Sequence, residues 1–305
     1  MALIFSKCTA ASINSLARES TIFFFPVGPI EDHGPHLPIV LDILEAEAVA
    51  VKTAEQIEKV QPGWTSVVMP ALPLGIDSNT THLSISVRPH VLRDWLVDSC
   101  RHLSRLGFKY FVCFSGHLGP KQLTAIEDAS RLLRGTLMLR WIKKAMGKTS
   151  PVLISASSAL VDRKTVKASP TWPDPEEHGG ERDTSIALAI SPELVSENYL
   201  ELKEQRKNRS KSSRLWQRCR GKLSGYWGVP ASAKRDLGIK LLSDQVDFVT
   251  PKILSVLSGS NPERLFRSWY SLIPSNKSFF RGWLLFAALS FLIFLWFFVV
   301  LRYLF

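Results

Sequence analysis

The segment Trp283–Leu301 reads WLLFAALSFLIFLWFFVVL, with Ser290 its only polar residue. Nineteen helical residues span roughly 28 Å at about 1.5 Å each, close to the ~30 Å hydrocarbon core of a bilayer. Apolar side chains fall on every face, so the segment has no stripe to turn toward a soluble core and a polar face to leave in water. A buried C-terminal helix is the alternative; length and all-round apolarity favour a single-pass membrane span over 282–302. Lys277 and Arg281 precede it and Arg302 follows. The basic N-terminal flank favours a cytoplasmic body. The expected layout is a folded body over 1–260, a juxtamembrane linker over 261–281 and the span. Met1–Ser6 lacks the basic start and long apolar run of a signal peptide.

The chain carries 38 Lys and Arg against 27 Asp and Glu, a net charge of +11. Its 46% hydrophobic content excludes disorder and collagen-like repeats. Residues 203–222 hold nine Lys or Arg and one acid, Glu204, so most of the net charge sits in one insert. Such a run reads as a solvated loop or as a patch on anionic lipid head groups, to which Trp216 could add an interfacial contact. Little beyond charge points to nucleic acid, and none is expected as a partner. The four cysteines, Cys8, Cys100, Cys113 and Cys219, form no CxxC pair. That argues against a disulfide framework or zinc knuckle and for a reducing compartment.

Strand-like and helix-like segments alternate through the body. Thr21–Val27, Thr65–Met69, Tyr110–Phe114 and Val152–Ser155 read as short apolar strands. Ile43–Val60, Val91–Leu106 and Gln122–Leu139 carry helical periodicity. This alternation predicts an α/β domain with a mostly parallel sheet.

Polar residues gather at three places. Pro26–Asp42 (PVGPIEDHGPHLPIVLD) holds Glu31, His33, His36 and Asp42 directly after the first strand. Phe114–Pro120 (FSGHLGP) holds His117 directly after the third. Glu176–Ser185 (EEHGGERDTS) holds His178, Glu181 and Asp183. In open α/β sheets, sites form beyond the carboxyl ends of strands. Imidazole and carboxylate from several loops suit divalent zinc, manganese or iron, and a carboxylate with two free oxygens can bridge two ions. His82, His90 and His102 lack acidic neighbours at ligand-like spacing and read as structural.

These segments, with GYWGVPASAKRDLG at Gly225–Gly238, resemble the creatininase (creatinine amidohydrolase) family over roughly residues 10–255. The resemblance implies a three-layer α/β/α fold with a mostly parallel sheet, here with a C-terminal transmembrane helix added. It implies a binuclear metal centre with Glu31, His33, Asp42 and His117 as ligands, Asp42 bridging. It makes His178 a general acid/base or substrate-binding group and Glu181 a metal ligand or supporting carboxylate. The implied activity is hydrolysis of an amide, formamide or small-peptide C–N bond by a metal-activated water. It also implies two Zn, Mn or Fe ions per subunit, a small amide-type substrate and a homo-oligomer. Ser115 and Pro120 replace the asparagines of the family's Asn-Gly-His-Gly-Gly-Asn motif. Gly119 stands where creatininase has a metal-binding Glu, which leaves Glu181 as the candidate for that ligand. A non-catalytic, membrane-tethered interaction protein on the same fold is the competing reading.

Overall fold

The computed structural model describes residues 2–78, 83–135, 145, 150–161, 177–206, 224–277 and 280–304. Five parallel strands form one sheet: β1 Leu3–Ile4, β2 Thr21–Val27, β3 Thr65–Val68, β4 Tyr110–Ser115 and β5 Val152–Ser155. Their order is β1-β3-β2-β4-β5. Phe23 pairs in register with Val67 on one side of β2 and with Phe111 on the other. The chain steps from β2 outward to β3, then crosses back over β2 to β4. The carboxyl end of β2 is therefore the topological switch point, where a crevice opens.

The run TIFFFPV is fully buried, as expected of a strand covered on both faces. Side chains alternate across the sheet. Ile22, Phe24, Val112, Phe114 and Ile154 pack with helices α2 (Leu41–Val60) and α6 (Arg235–Leu257). Phe23, Phe25, Val27, Phe111 and Leu153 pack with α3 (Pro89–Arg105) and α4 (Pro120–Arg134). The result is the expected three-layer α/β/α sandwich, completed by the short helices α1 (Ala10–Asn14) and α5 (Glu181–Ile190).

The predicted strands and helices all form, Thr21–Val27 and Val152–Ser155 with the expected bounds and the others with shifted ends. Helix α2 starts two residues early, at Leu41. Helix α4 stops at Arg134 rather than running on to Leu139, because Gly135 takes φ +71° and turns the chain. Residues 136–139 lie outside the described residues, as do 207–222 of the basic insert, including Trp216. The short strand β1, which pairs with β3, has no signal in its two residues.

The C-terminal helix Phe280–Leu304 is the one candidate span among the described residues. Within it, Gly282–Arg302 is long and apolar enough to cross a bilayer and is unburied by the rest of the chain.

Candidate metal centre

The loop after β2 carries Glu31 and His33, and it is pinned on both sides. The Glu31 N–H donates to the Ile39 carbonyl at 2.8 Å, and the Asp32 N–H donates to Ser84 Oγ at 3.1 Å. Asp42 sits in the first turn of α2. A Cβ on Gly116, just beyond β4, would overlap the Asp42 carbonyl oxygen, so glycine is what lets the start of α2 nest between β2 and β4. His117 follows on the same loop. The Ser115 hydroxyl donates to its carbonyl at 2.7 Å and accepts from the Gln122 amide at 3.1 Å. The serine that replaces the motif asparagine thus fixes the loop that presents the imidazole.

His178 and Asp183 arrive from α5 and the residues before it. The backbones of His178 and Trp227 exchange hydrogen bonds of 3.0 and 2.8 Å. The rings of His33, His178 and Trp227 form a column, with centroids 4.3 and 4.7 Å apart and planes 25° and 29° from parallel. The late segment Gly225–Gly238 therefore contributes the strip that holds His178 in place.

Two groups of potential ligands result. Glu31, Asp42 and His117 form one; His33, His178 and Asp183 form the other; within each group the ligand atoms lie within 4.8 Å of one another. His117 Nδ1 lies 3.0 Å from Glu31 Oε2 and 3.7 Å from Asp42 Oδ2. His33 Nε2 lies 3.6 Å from Asp42 Oδ1. Each oxygen of Asp42 thus faces an imidazole from a different group. His33 Nδ1 is 3.0 Å from the Glu31 carbonyl, an acceptor, so Nδ1 donates and Nε2 is the ring atom turned toward Asp42. Glu31 and His33 are 2% exposed and Asp42 5%.

The electrostatics match a site made for cations. Burial pushes Glu31 up, but His117 overcomes it and holds the carboxyl well below the usual range, with help from His178 and His33. Burial and the neighbouring Glu31 push Asp42 well above its usual value. His117 is lowered by burial but raised more strongly by Glu31 and Asp42, to about 9. Burial and His33 drop His178 to about 4, leaving a neutral ring at neutral pH. Burial raises Asp183, but Arg182, His33 and His178 bring it down to about 2. Two carboxylates sharing a buried space, one forced toward protonation, is an arrangement that divalent charge relieves. The donor set also fits. Asp42 Oδ2 is buried without a hydrogen-bond partner. Two ligands at roughly 2.0–2.1 Å from one tetrahedral ion lie roughly 3.3–3.4 Å apart, near the separations found at Asp42.

Glu181, expected at the centre, lies in neither group; its side chain is half-buried in the first turn of α5. Its neighbour Asp183, two residues on, enters instead. His36 also stays out: it is buried, with Nε2 2.8 Å from Thr184 Oγ1, and reads as structural. Sequence reasoning missed what supports Asp183. Arg182 Nη1 donates to Asp183 Oδ1 at 2.8 Å, and its Nη2 donates to Glu45 Oε1 at 2.6 Å. The Gln245 amide also donates to Glu45, at 2.9 Å. Glu45 could have been found, because it sits on the mostly apolar inward face of α2, three residues after Asp42. Of the remaining histidines, His90 and His102 are exposed, and His82 lies outside the described residues.

The family model described as creatinine amidohydrolase matches residues 6–253. The chain belongs to the creatininase family. A creatinine amidohydrolase from Pseudomonas putida is 27% identical over 194 residues, 59% of this chain and 68% of that protein. A mycofactocin precursor peptide peptidase from Mycobacterium ulcerans (strain Agy99) is 28% identical over 178 residues, 56% of this chain and 58% of that protein. A crystal structure of creatinine amidohydrolase superposes with TM-score 0.64 at 22% identity, over 85% of this chain and 99% of that one. A manganese form of creatininase and a Zn–Zn form of a mutant superpose with TM-scores of 0.63 and 0.64, each at 22% identity. Each covers 84% of this chain and 99% of its own. The fold is thus that of the creatininases, and the residues present suit the kind of metal centre named for those structures.

Proposed function

We propose that this protein is a membrane-anchored, metal-dependent amidohydrolase that cleaves the C–N bond of a small amide, formamide or peptide. The observation that carries the reading is Asp42, whose two oxygens face His33 and His117 from opposite sides. Glu31, Asp42 and His117 would hold one divalent ion, and His33 with Asp42 would hold part of a second; zinc, manganese and iron all suit imidazole and carboxylate. Bound there, such ions supply an acidified water and neutralise charge on the substrate oxygen. The chain's own residues do the rest. Glu31 orients both imidazoles, its carbonyl holding His33 and its carboxylate holding His117. His178, neutral and wedged between His33 and Trp227, takes a proton and passes it to the leaving nitrogen, a role worth about 10²–10⁴ in rate. The sequence relatives are a creatinine amidohydrolase and a precursor peptide peptidase, so creatinine-like amides and peptides both belong in the first trials.

In this reading residues 1–260 are the catalytic body, 261–281 the linker and 282–302 the span. The body faces the cytoplasm, subunits associate as a homo-oligomer, and the basic insert at 203–222 lies against lipid head groups.

The test uses full-length protein purified in detergent. Hydrolysis is assayed on formamides, linear and cyclic amides and short peptides, before and after chelation, in wild type and in Asp42→Ala and His33→Ala. The reading expects metal-dependent turnover that Asp42→Ala abolishes. A protein that binds no divalent ion and hydrolyses nothing in the panel would instead be the non-catalytic, membrane-tethered relative.

A further inference from the structure

Gly119, two residues after His117, brings no carboxylate to the centre. A Cβ on residue 119 would overlap His117 Nε2, so the imidazole occupies the space where a side chain would begin. The second ion position then has His33 Nε2 and Asp42 Oδ1 and needs another anionic donor.

Asp183 is placed to be that donor. It shares a group with His33 and His178. It is rigidly held, with Oδ1 accepting from Arg182 at 2.8 Å and Oδ2 accepting from the Gly179 N–H at 2.7 Å. A carboxylate offers about four lone-pair sites, so two hydrogen bonds leave room for an ion. Outer hydrogen bonds of this kind are what orient metal-binding carboxylates. The clamp behind it joins Arg182 to Glu45 and Glu45 to Gln245.

The third member, His178, is excluded by geometry. An imidazole lone pair lies in the ring plane. The His33 and His178 rings stack at 4.3 Å and 25°, so an ion in the plane of one lies outside the plane of the other. His178 Nε2 is also taken up by the Asp32 carbonyl, at 2.9 Å.

We propose that His33, Asp42 and Asp183 hold the second ion, with Asp183 supplying a carboxylate that Gly119 does not. This rests on the metal-dependent reading above and assigns one ligand within it.

The experiment loads full-length protein in detergent with Co²⁺ alone and counts bound metal by mass spectrometry after gel filtration. Wild type is expected to hold two equivalents, Asp183→Asn one and His178→Ala two, with unchanged far-ultraviolet circular dichroism. Asp183→Cys guards against a misfolded Asn variant. With cobalt bound, it should gain a near-ultraviolet thiolate-to-cobalt absorption absent from wild type. Two equivalents in both wild type and Asp183→Asn overturn the assignment and leave the hydrolase reading standing. So does one equivalent in both, or a cobalt-loaded Asp183→Cys without the new band. A wild type that holds no ion overturns the hydrolase reading itself, and the assignment with it.

Discussion

Asp42 Oδ1 and His33 Nε2 face each other at 3.6 Å, with the His33 proton committed to the Glu31 carbonyl on the far side of the ring. Two acceptors held at that separation in a buried site need a cation or a proton between them. Asp42→Asn keeps the shape and removes the charge. It should lower divalent-metal affinity at least about 10-fold, the lower end of what even outer-shell changes cost. Isothermal titration with Zn²⁺ into chelator-treated protein measures it. Equal affinity in wild type and Asp42→Asn would show that this carboxylate faces no ion.

His178→Ala should separate chemistry from metal binding. Hydrolysis should fall about 10²–10⁴-fold in kcat, while metal content stays at the wild-type value. Steady-state kinetics paired with metal analysis distinguishes this from a ligand role, which would remove metal and activity together.

The metal-free protein should lose stability as pH rises from 6.5 to 9. His117 has its folded pKa raised, from 6.5 to about 9, so its contribution is complete below 6.5 and is lost as pH rises through 9. Asp42 and Glu177, both raised largely by burial, act in the same direction. His178, lowered to about 4, changes stability only below this window. Metal binding must displace the His117 proton, so the stabilisation conferred by added Zn²⁺ should widen over the same interval. Urea midpoints with and without Zn²⁺ between pH 6 and 10 test both. A metal-free midpoint that climbs across the window contradicts the pairing of His117 with Glu31.

Removing the clamp should cost stability as well as activity. Arg182→Met leaves Glu45 and Asp183 buried without their guanidinium, a situation that typically costs about 3–5 kcal/mol. Denaturant unfolding would register it. A loss below about 1 kcal/mol would mean that the buried network relaxes around the change.

Deleting residues 280–305 should release the body from membranes, since no other described helix is long and apolar enough to span one. Fractionation of cells expressing both forms, with alkaline carbonate extraction, reads this directly. A full-length protein recovered in the soluble fraction would contradict the anchor.

Much of the fold is legible in residue order because the strands are buried on both faces. TIFFFPV and YFVCFS need no partner information to be read as parallel strands. The loops that carry the candidate ligands were legible too, because Glu31, His33 and His117 follow strands directly, where α/β sites form. What the sequence hides is three-dimensional. Glu181 and Asp183 lie two residues apart in one motif, and only the first turn of α5 decides which side chain reaches His33. The Arg182–Glu45–Gln245 network spans 200 positions between its last two members, so no local pattern could announce it.

The most direct test of the account is the metal content of full-length protein, measured together with hydrolysis through one cycle of chelation and reconstitution. Two divalent ions per chain are expected, with turnover of an amide- or formamide-type substrate lost on chelation and recovered when the ions return. Turnover that persists in metal-free protein, or a chain that retains no ion at all, would contradict it.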